Sequence, residues 1–188
     1  MKAKKDLGPA IGAFPSPVVV VGSYNEDGSP NIMTTGIAGT VAIHPPAMYV
    51  SLRKATLTYE NIMREGAYTL NIPSEEFVRQ ADYVGIVSGR NVKKFDKTGL
   101  TPVEGRFVHA PYVGEFPLIV ECKVIHTLEM GSHTQFIGQV MSLKVNEDLL
   151  DERGRPDMEK IRPLSMTDTH YLGMGKTLIK PFSCKNEF

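Results

Sequence analysis

Arg53, Lys54, Thr56 and Thr58 stand between a short apolar run at 47–52 and a helical pattern at 57–65, with Ser51 as a third hydroxyl on the strand side. A guanidinium presents a planar fork to two phosphate oxygens, an ammonium adds a point charge, and hydroxyls add donors. A helix start adds unpaired N–H groups and the positive end of its dipole. Together these suit a phosphomonoester. A solvated strand end, with Thr56 as a plain helix cap, accounts for the same residues equally well.

Three further stretches carry residues that could complete such a site. The segment 31–42 sets Thr34, Thr35, Gly36, Gly39 and Thr40 among apolar residues, which suits a strand whose glycines permit a bulge or the close approach of a flat ligand. The loop 88–95 begins with Ser88 and Gly89 and continues through Arg90, Lys93 and Lys94. It reads as a second cationic wall or as a solvated basic turn. His133 follows Gly131 and Ser132 at the head of a strand pattern, where an isolated histidine is more often structural than catalytic. No Ser/His/Asp or Cys/His arrangement is legible, and Cys122 and Cys184 lack partners at metal spacing, so no metal is expected.

The elements that must position these residues follow from the pattern. Four valines at 18–21 suggest a strand buried on both faces, ending in an Asn25-Glu26-Asp27-Gly28 turn and a hairpin into the Asn31 strand. A helix over 57–65 is stopped by Gly66, a strand covers 67–72, and Glu75-Glu76 open a second helix running through Val84. Two long strands at 118–128 and 133–145 form a second hairpin, and 156–161 a short helix. Residues 1–16 read as an N-terminal arm that Ile11 and Phe14 could tie to the body, and 163–188 as an irregular tail. The expectation is a single domain over 1–188, mainly β with inserted helices, in a Greek-key barrel.

The 188 residues carry a formal net charge of zero, which gives no general attraction to nucleic acid or to an anionic membrane. There is no run of membrane-span length, no apolar leader core, no Gly-rich dinucleotide fingerprint and no phosphate loop. A soluble, cytoplasmic protein with reduced thiols is expected.

The succession PNIMTTGIAGTVAIHPP, VSLRKATLTYENI, YTLNIP, KKFDKTGLTP and GSHTQFIGQV resembles the flavin reductase-like family of FMN-binding split barrels, and within it the flavoredoxin branch, over about 17–145. The resemblance implies a homodimer of six-stranded barrels with FMN near the subunit interface. It implies that Asn31, Met33, Thr34, Thr35 and Ala38 line the isoalloxazine and ribityl chain, and that Ser51, Arg53, Thr56 and Thr58 hold the phosphate. Lys94, with Ser88 and Gly89, would reach the same flavin, and His133 would sit near the ring or a nicotinamide site. The family's usual Gly-Asp-His reads Gly-Ser-His here, which bears on the orientation of His133. Three functions follow. One is an FMN-dependent oxidoreductase drawing on NAD(P)H as a transient donor, the second a flavoredoxin-type electron carrier with tightly held FMN and a redox protein partner. The third is a barrel that serves only as an interaction module.

Overall fold

Val18 to Val21 have no polar face to turn to water, and the chain buries all four, each 0–2% exposed. Val18 follows the two-residue strand β1 (Ser16–Pro17), and the other three open β2 (Val19–Tyr24). Gly28, at φ 79, and the Asn25–Ser29 backbone pairing turn the chain into β3 (Pro30–Thr35), antiparallel to β2 with Val19 opposite Thr35. The expected hairpin is present.

The computed structural model describes residues 2–10, 14–181 and 183–184. Ile11, expected to tie down the arm, lies outside these residues, and Phe14 is 75% exposed. Next along the chain come β4 (Ala38–Ala42), β5 (Ala47–Arg53), α1 (Leu57–Glu65) and β6 (Ala67–Ile72). A 3₁₀ turn, Glu75–Phe77, leads into α2 (Val78–Ile86), followed by α3 (Lys94–Thr98), β7 (Pro102–Glu104) and β8 (Pro111–Val113). The long β9 (Leu118–Met130) and β10 (His133–Val145) precede α4 (Met158–Ile161), β11 (Leu164–Met166) and β12 (Tyr171–Gly173).

Seven strands form one antiparallel sheet in the order β3-β2-β6-β9-β10-β5-β4. Its two outer strands, β3 and β4, are joined only by Gly36 and Ile37, so Thr35 and Ala38 can be no more than about 11 Å apart. The sheet therefore curls until its edges meet, which makes it a split barrel, as expected. The single strand expected over 31–42 is in fact two. At Gly36 a Cβ would stand 2.7 Å from the Met166 sulfur, and there the chain turns a corner. That division makes seven strands where the resemblance implies six.

Successive side chains of β2 face opposite ways. Val19 and Val21 enter the barrel with Val50, Leu52, Tyr68, Leu70 and Phe136. Val18 and Val20 face outward and are covered by Ala81 and Val84 of α2 and Phe95 of α3. The helices therefore lie on the outer face of the β2–β3 hairpin, which sets up a cleft along β3.

Thr56 caps α1 by accepting from the Tyr59 N–H at 3.3 Å, and Gly66 ends the helix at φ 64. The expected basic turn at 88–95 runs into a helix, because Lys94 and Phe95 are buried and Gly99, at φ 68, closes the turn behind them. The tail is likewise less irregular than expected. Buried Leu164 accepts from the Val18 N–H at 3.1 Å, and β11 joins β1 and β12 in a small sheet. On the other side β9 outruns its partner β6, whose last pairing is Ala67 with Lys123. After one further bond, from the Val124 N–H to the Gly66 carbonyl at 2.8 Å, the β9 edge is open and carries Ile125, Leu128 and Met130 at 41–69% exposure.

Candidate functional site

The start of α1, the β3 strand, the end of α2 and the loop leading into α3 enclose a cleft of about 200 Å³. Seven of the residues singled out in the sequence line it. Asn31 and Met33 come from β3, Thr56 and Thr58 from the α1 start, and Ser88, Gly89 and Lys94 from the loop and α3. Residues some 60 positions apart thus meet because α1 and α3 both pack on the same hairpin.

The polar contacts within the cleft are specific. Asn31 is 3% exposed and donates from Nδ2 to the Thr58 hydroxyl at 3.0 Å. Gly89 presses on the other side of that amide, where a Cβ would lie 2.2 Å from Asn31 Oδ1. Thr56 donates its hydroxyl to the Arg53 carbonyl at 2.9 Å while capping the helix. The backbone N–H groups of Leu57 and Thr58, in the first turn, have no intrahelical acceptor and belong to the positive end of the helix dipole.

Lys94 is the cation of this cleft. It is 4% exposed, and among the described residues its ammonium has one acceptor, the Val84 carbonyl at 2.8 Å, and no carboxylate. Burial without a counter-charge pushes its pKa down to about 8. A cation, a helix start and hydroxyls converge here without an acid among them, a set of groups whose charge and donors suit an anion.

The other residues singled out stand outside the lining. Thr34 donates its hydroxyl to the Ala81 carbonyl and packs on Gly85, so it ties β3 to α2. The Thr35 hydroxyl accepts from the Ile37 N–H at 3.1 Å at the barrel corner. Ala38 is buried in the barrel core. Ser51 and Arg53 share the outer face of β5, opposite to the core residues Val50 and Leu52. Ser51 is buried, whereas Arg53 is exposed and its guanidinium has no partner among the described residues. His133 pairs in register with Arg53 across β10 and β5, and its Nδ1 lies 2.8 Å from the Ser132 hydroxyl. Arg53, with its carbonyl held by Thr56, joins this outer rim to the cleft. Lys54, grouped with Arg53 in the sequence, turns away to pair with Glu129 at 2.8 Å.

Ala55, Leu57, Gly85, Ile86 and Val87 also line the cleft and were not assigned to a site from the sequence, where Leu57 counted only as the start of a helix. Their contribution is backbone and apolar surface at the two helix ends, which leaves no chemical signature in side-chain type. The glycine at 85 was the one available signal, since a Cβ there would meet Thr34 at 3.1 Å. Among the described residues no cluster of His, Cys, Asp or Glu could hold a metal ion, and no helix is long and apolar enough to cross a membrane.

Comparison with known proteins agrees with this architecture. A family model described as flavin reductase like domain matches residues 11–175. The structure is similar to that of the flavoredoxin of Desulfovibrio vulgaris (Miyazaki F), with a TM-score of 0.92 and 49% identity over 96% of this chain and 98% of that one. It is also similar to a flavoredoxin from Methanosarcina acetivorans, with a TM-score of 0.87 and 31% identity over the whole of both chains. A protein of Aquifex aeolicus of uncharacterized function is 30% identical over 91% of this chain and 87% of its own length. The chain belongs to the flavin reductase-like family of FMN-binding split barrels.

Proposed function

We propose that this chain is an FMN-binding electron-transfer protein of the flavoredoxin type. The observation that carries the reading is the cleft itself, where buried Lys94, the α1 start capped by Thr56 and the hydroxyls of Thr58 and Ser88 converge with no acidic side chain in the lining. That donor set suits a terminal phosphate, and the similarity to two flavoredoxins supports the carrier role. In this reading Thr56, Thr58, Ser88 and Lys94 hold the phosphate, with Arg53 closing over it from the rim. Asn31, Met33, Thr34, Thr35 and Ala38 form or support the wall along which the rest of the cofactor lies. FMN, when bound, supplies hydride and one-electron chemistry, and the protein's task is to hold, orient and shield it.

The second reading is turnover of NAD(P)H through the same FMN, which the description of the matched family as flavin reductase like supports. His133 would then face the donor. Anaerobic addition of NADH and NADPH to the FMN-loaded protein separates the two. Bleaching of the flavin band within seconds supports the reductase, whereas an oxidised band that persists until a low-potential reductant is added supports the carrier. A protein that fails to quench added FMN fluorescence would leave only the barrel as an interaction module.

The assembly belongs to the same proposal, as a homodimer of single-domain chains. The open β9 edge with Ile125, Leu128 and Met130 is a strand ready to be covered by a second copy. A cytoplasmic location fits the two unbridged cysteines.

A further inference from the structure

Lys94 presents an unusual arrangement for a lysine. An ammonium has three N–H donors, and this one, 4% exposed, spends one on the Val84 carbonyl and turns to a cleft that supplies no carboxylate. The charged groups on the elements around it are otherwise engaged or of the wrong sign. Glu60 of α1 pairs with Arg90 of the loop at 2.6 Å. Asp82 of α2 faces Tyr171, whose hydroxyl pKa it helps to raise, and Asp27 of the β2–β3 turn accepts from the N–H and hydroxyl of Ser29. Arg79 of α2 is a cation, and β3 carries no charged residue. Asp96 and Lys97 of α3 itself are exposed, and neither pairs with Lys94 among the described residues.

We propose that the phosphate of the bound ligand is the missing counter-ion of Lys94, so that filling the cleft takes up a proton from solvent and binding weakens as the solution becomes alkaline. This deepens the FMN reading and rests on it. In the empty protein burial favours the neutral amine, and its pKa falls to about 8. A phosphate dianion placed against the same nitrogen favours the ammonium and drives that pKa back up. Between the two values the complex holds one proton more than the free protein, and by linkage the affinity falls by up to tenfold per pH unit. Below the lower value the dependence vanishes.

The test is a set of FMN and riboflavin titrations of the apoprotein by fluorescence quenching, from about pH 7 to about pH 9.5, a range below the titration of free lysine. Calorimetry in two buffers of different ionisation enthalpy accompanies them and counts protons. The expected result is an FMN Kd that is flat to about pH 8 and then rises by up to tenfold per unit, with uptake approaching one proton. Riboflavin, which lacks the phosphate, should bind more weakly and without this slope. Lys94→Arg, which stays charged throughout, should bind FMN with a flat profile. Lys94→Met, which keeps the core packed, should bind weakly and equally flat. FMN binding by the native chain that ignores pH, or the same slope in Lys94→Met, overturns the coupling and leaves the FMN site standing. No FMN binding at any pH overturns both.

Discussion

His133 and Arg53 are register partners across β10 and β5, so their side chains leave the same outer face of the sheet. Directly opposed residues in an antiparallel pair have β-carbons about 5 Å apart. The imidazole therefore stands beside Arg53 on that face, and Arg53 leads to the α1 start through its carbonyl, which accepts from the Thr56 hydroxyl. Ser132, where the family pattern has Asp, meets the His133 Nδ1 at 2.8 Å and so fixes the ring with a neutral group.

This pairing predicts coupled effects on FMN affinity. Arg53→Ala should weaken binding by about 1.5–3 kcal/mol, the worth of a charge-assisted hydrogen bond. His133→Ala, at a partly exposed position, should leave the melting temperature nearly unchanged while loosening FMN or slowing its reduction. A double-mutant cycle on FMN Kd should give a coupling of at least about 0.5 kcal/mol, as groups sharing one ligand do. Strictly additive losses would place His133 outside the Arg53 rim.

Gly89→Ala should damage the cleft with little change elsewhere. The added methyl would lie 2.2 Å from Asn31 Oδ1 and 3.1 Å from Leu57 Cδ2, so the Asn31–Thr58 hydrogen bond or the α1 start must shift. Overpacking of this kind costs about 1–3 kcal/mol. Chemical denaturation together with FMN titration should show both a lower midpoint and weaker binding.

Lys94→Met should stabilise the apoprotein at neutral pH. The sign follows from the shift: Lys94 falls from 10.5 to about 8 on folding, so below pH 8 the folded chain bears the full cost of a buried charge. At roughly 1.4 kcal/mol per unit that cost is about 3 kcal/mol. As pH rises from 8 toward 10.5 the unfolded chain binds more protons than the folded one and the cost is relieved. The advantage of Lys94→Met, read by urea denaturation, should therefore shrink over that interval. The comparison must be made as a difference between variants, because buried Cys122, pushed up to about 12, opposes the trend in both.

Leu128→Glu should split the proposed homodimer. The residue lies on the open half of β9, 48% exposed, where it touches no core cluster and its loss costs the single chain little. Light scattering should give twice 20.8 kDa for the native protein and 20.8 kDa for the variant. A native protein at the monomer mass over all concentrations would remove the proposal.

What the sequence determined by itself was local. The valine run, the turn ending at Gly28 and the helix between Thr56 and Gly66 are legible because burial period, turn glycines and caps act within a few residues. The same holds for the helix start at Thr56, whose cap and unpaired N–H groups exist whatever it packs against, whereas the sequence left open whether that start meets an anion or only solvent. Tertiary structure decided which cations stand near it. Arg53, Lys54, Lys93 and Lys94 look alike in sequence, yet Lys54 is drawn to Glu129 across the sheet and Lys94 is carried beneath the cleft by α3. Burial of Phe95 against the β2–β3 hairpin turns a solvated basic loop into that helix. Likewise only closure of the barrel divides 31–42 at Gly36, because the demand for a corner comes from a sheet whose strands reach as far along the chain as Val145. Which lysine loses its water, and with it the ease of keeping its proton, is set by neighbours that no sequence window contains.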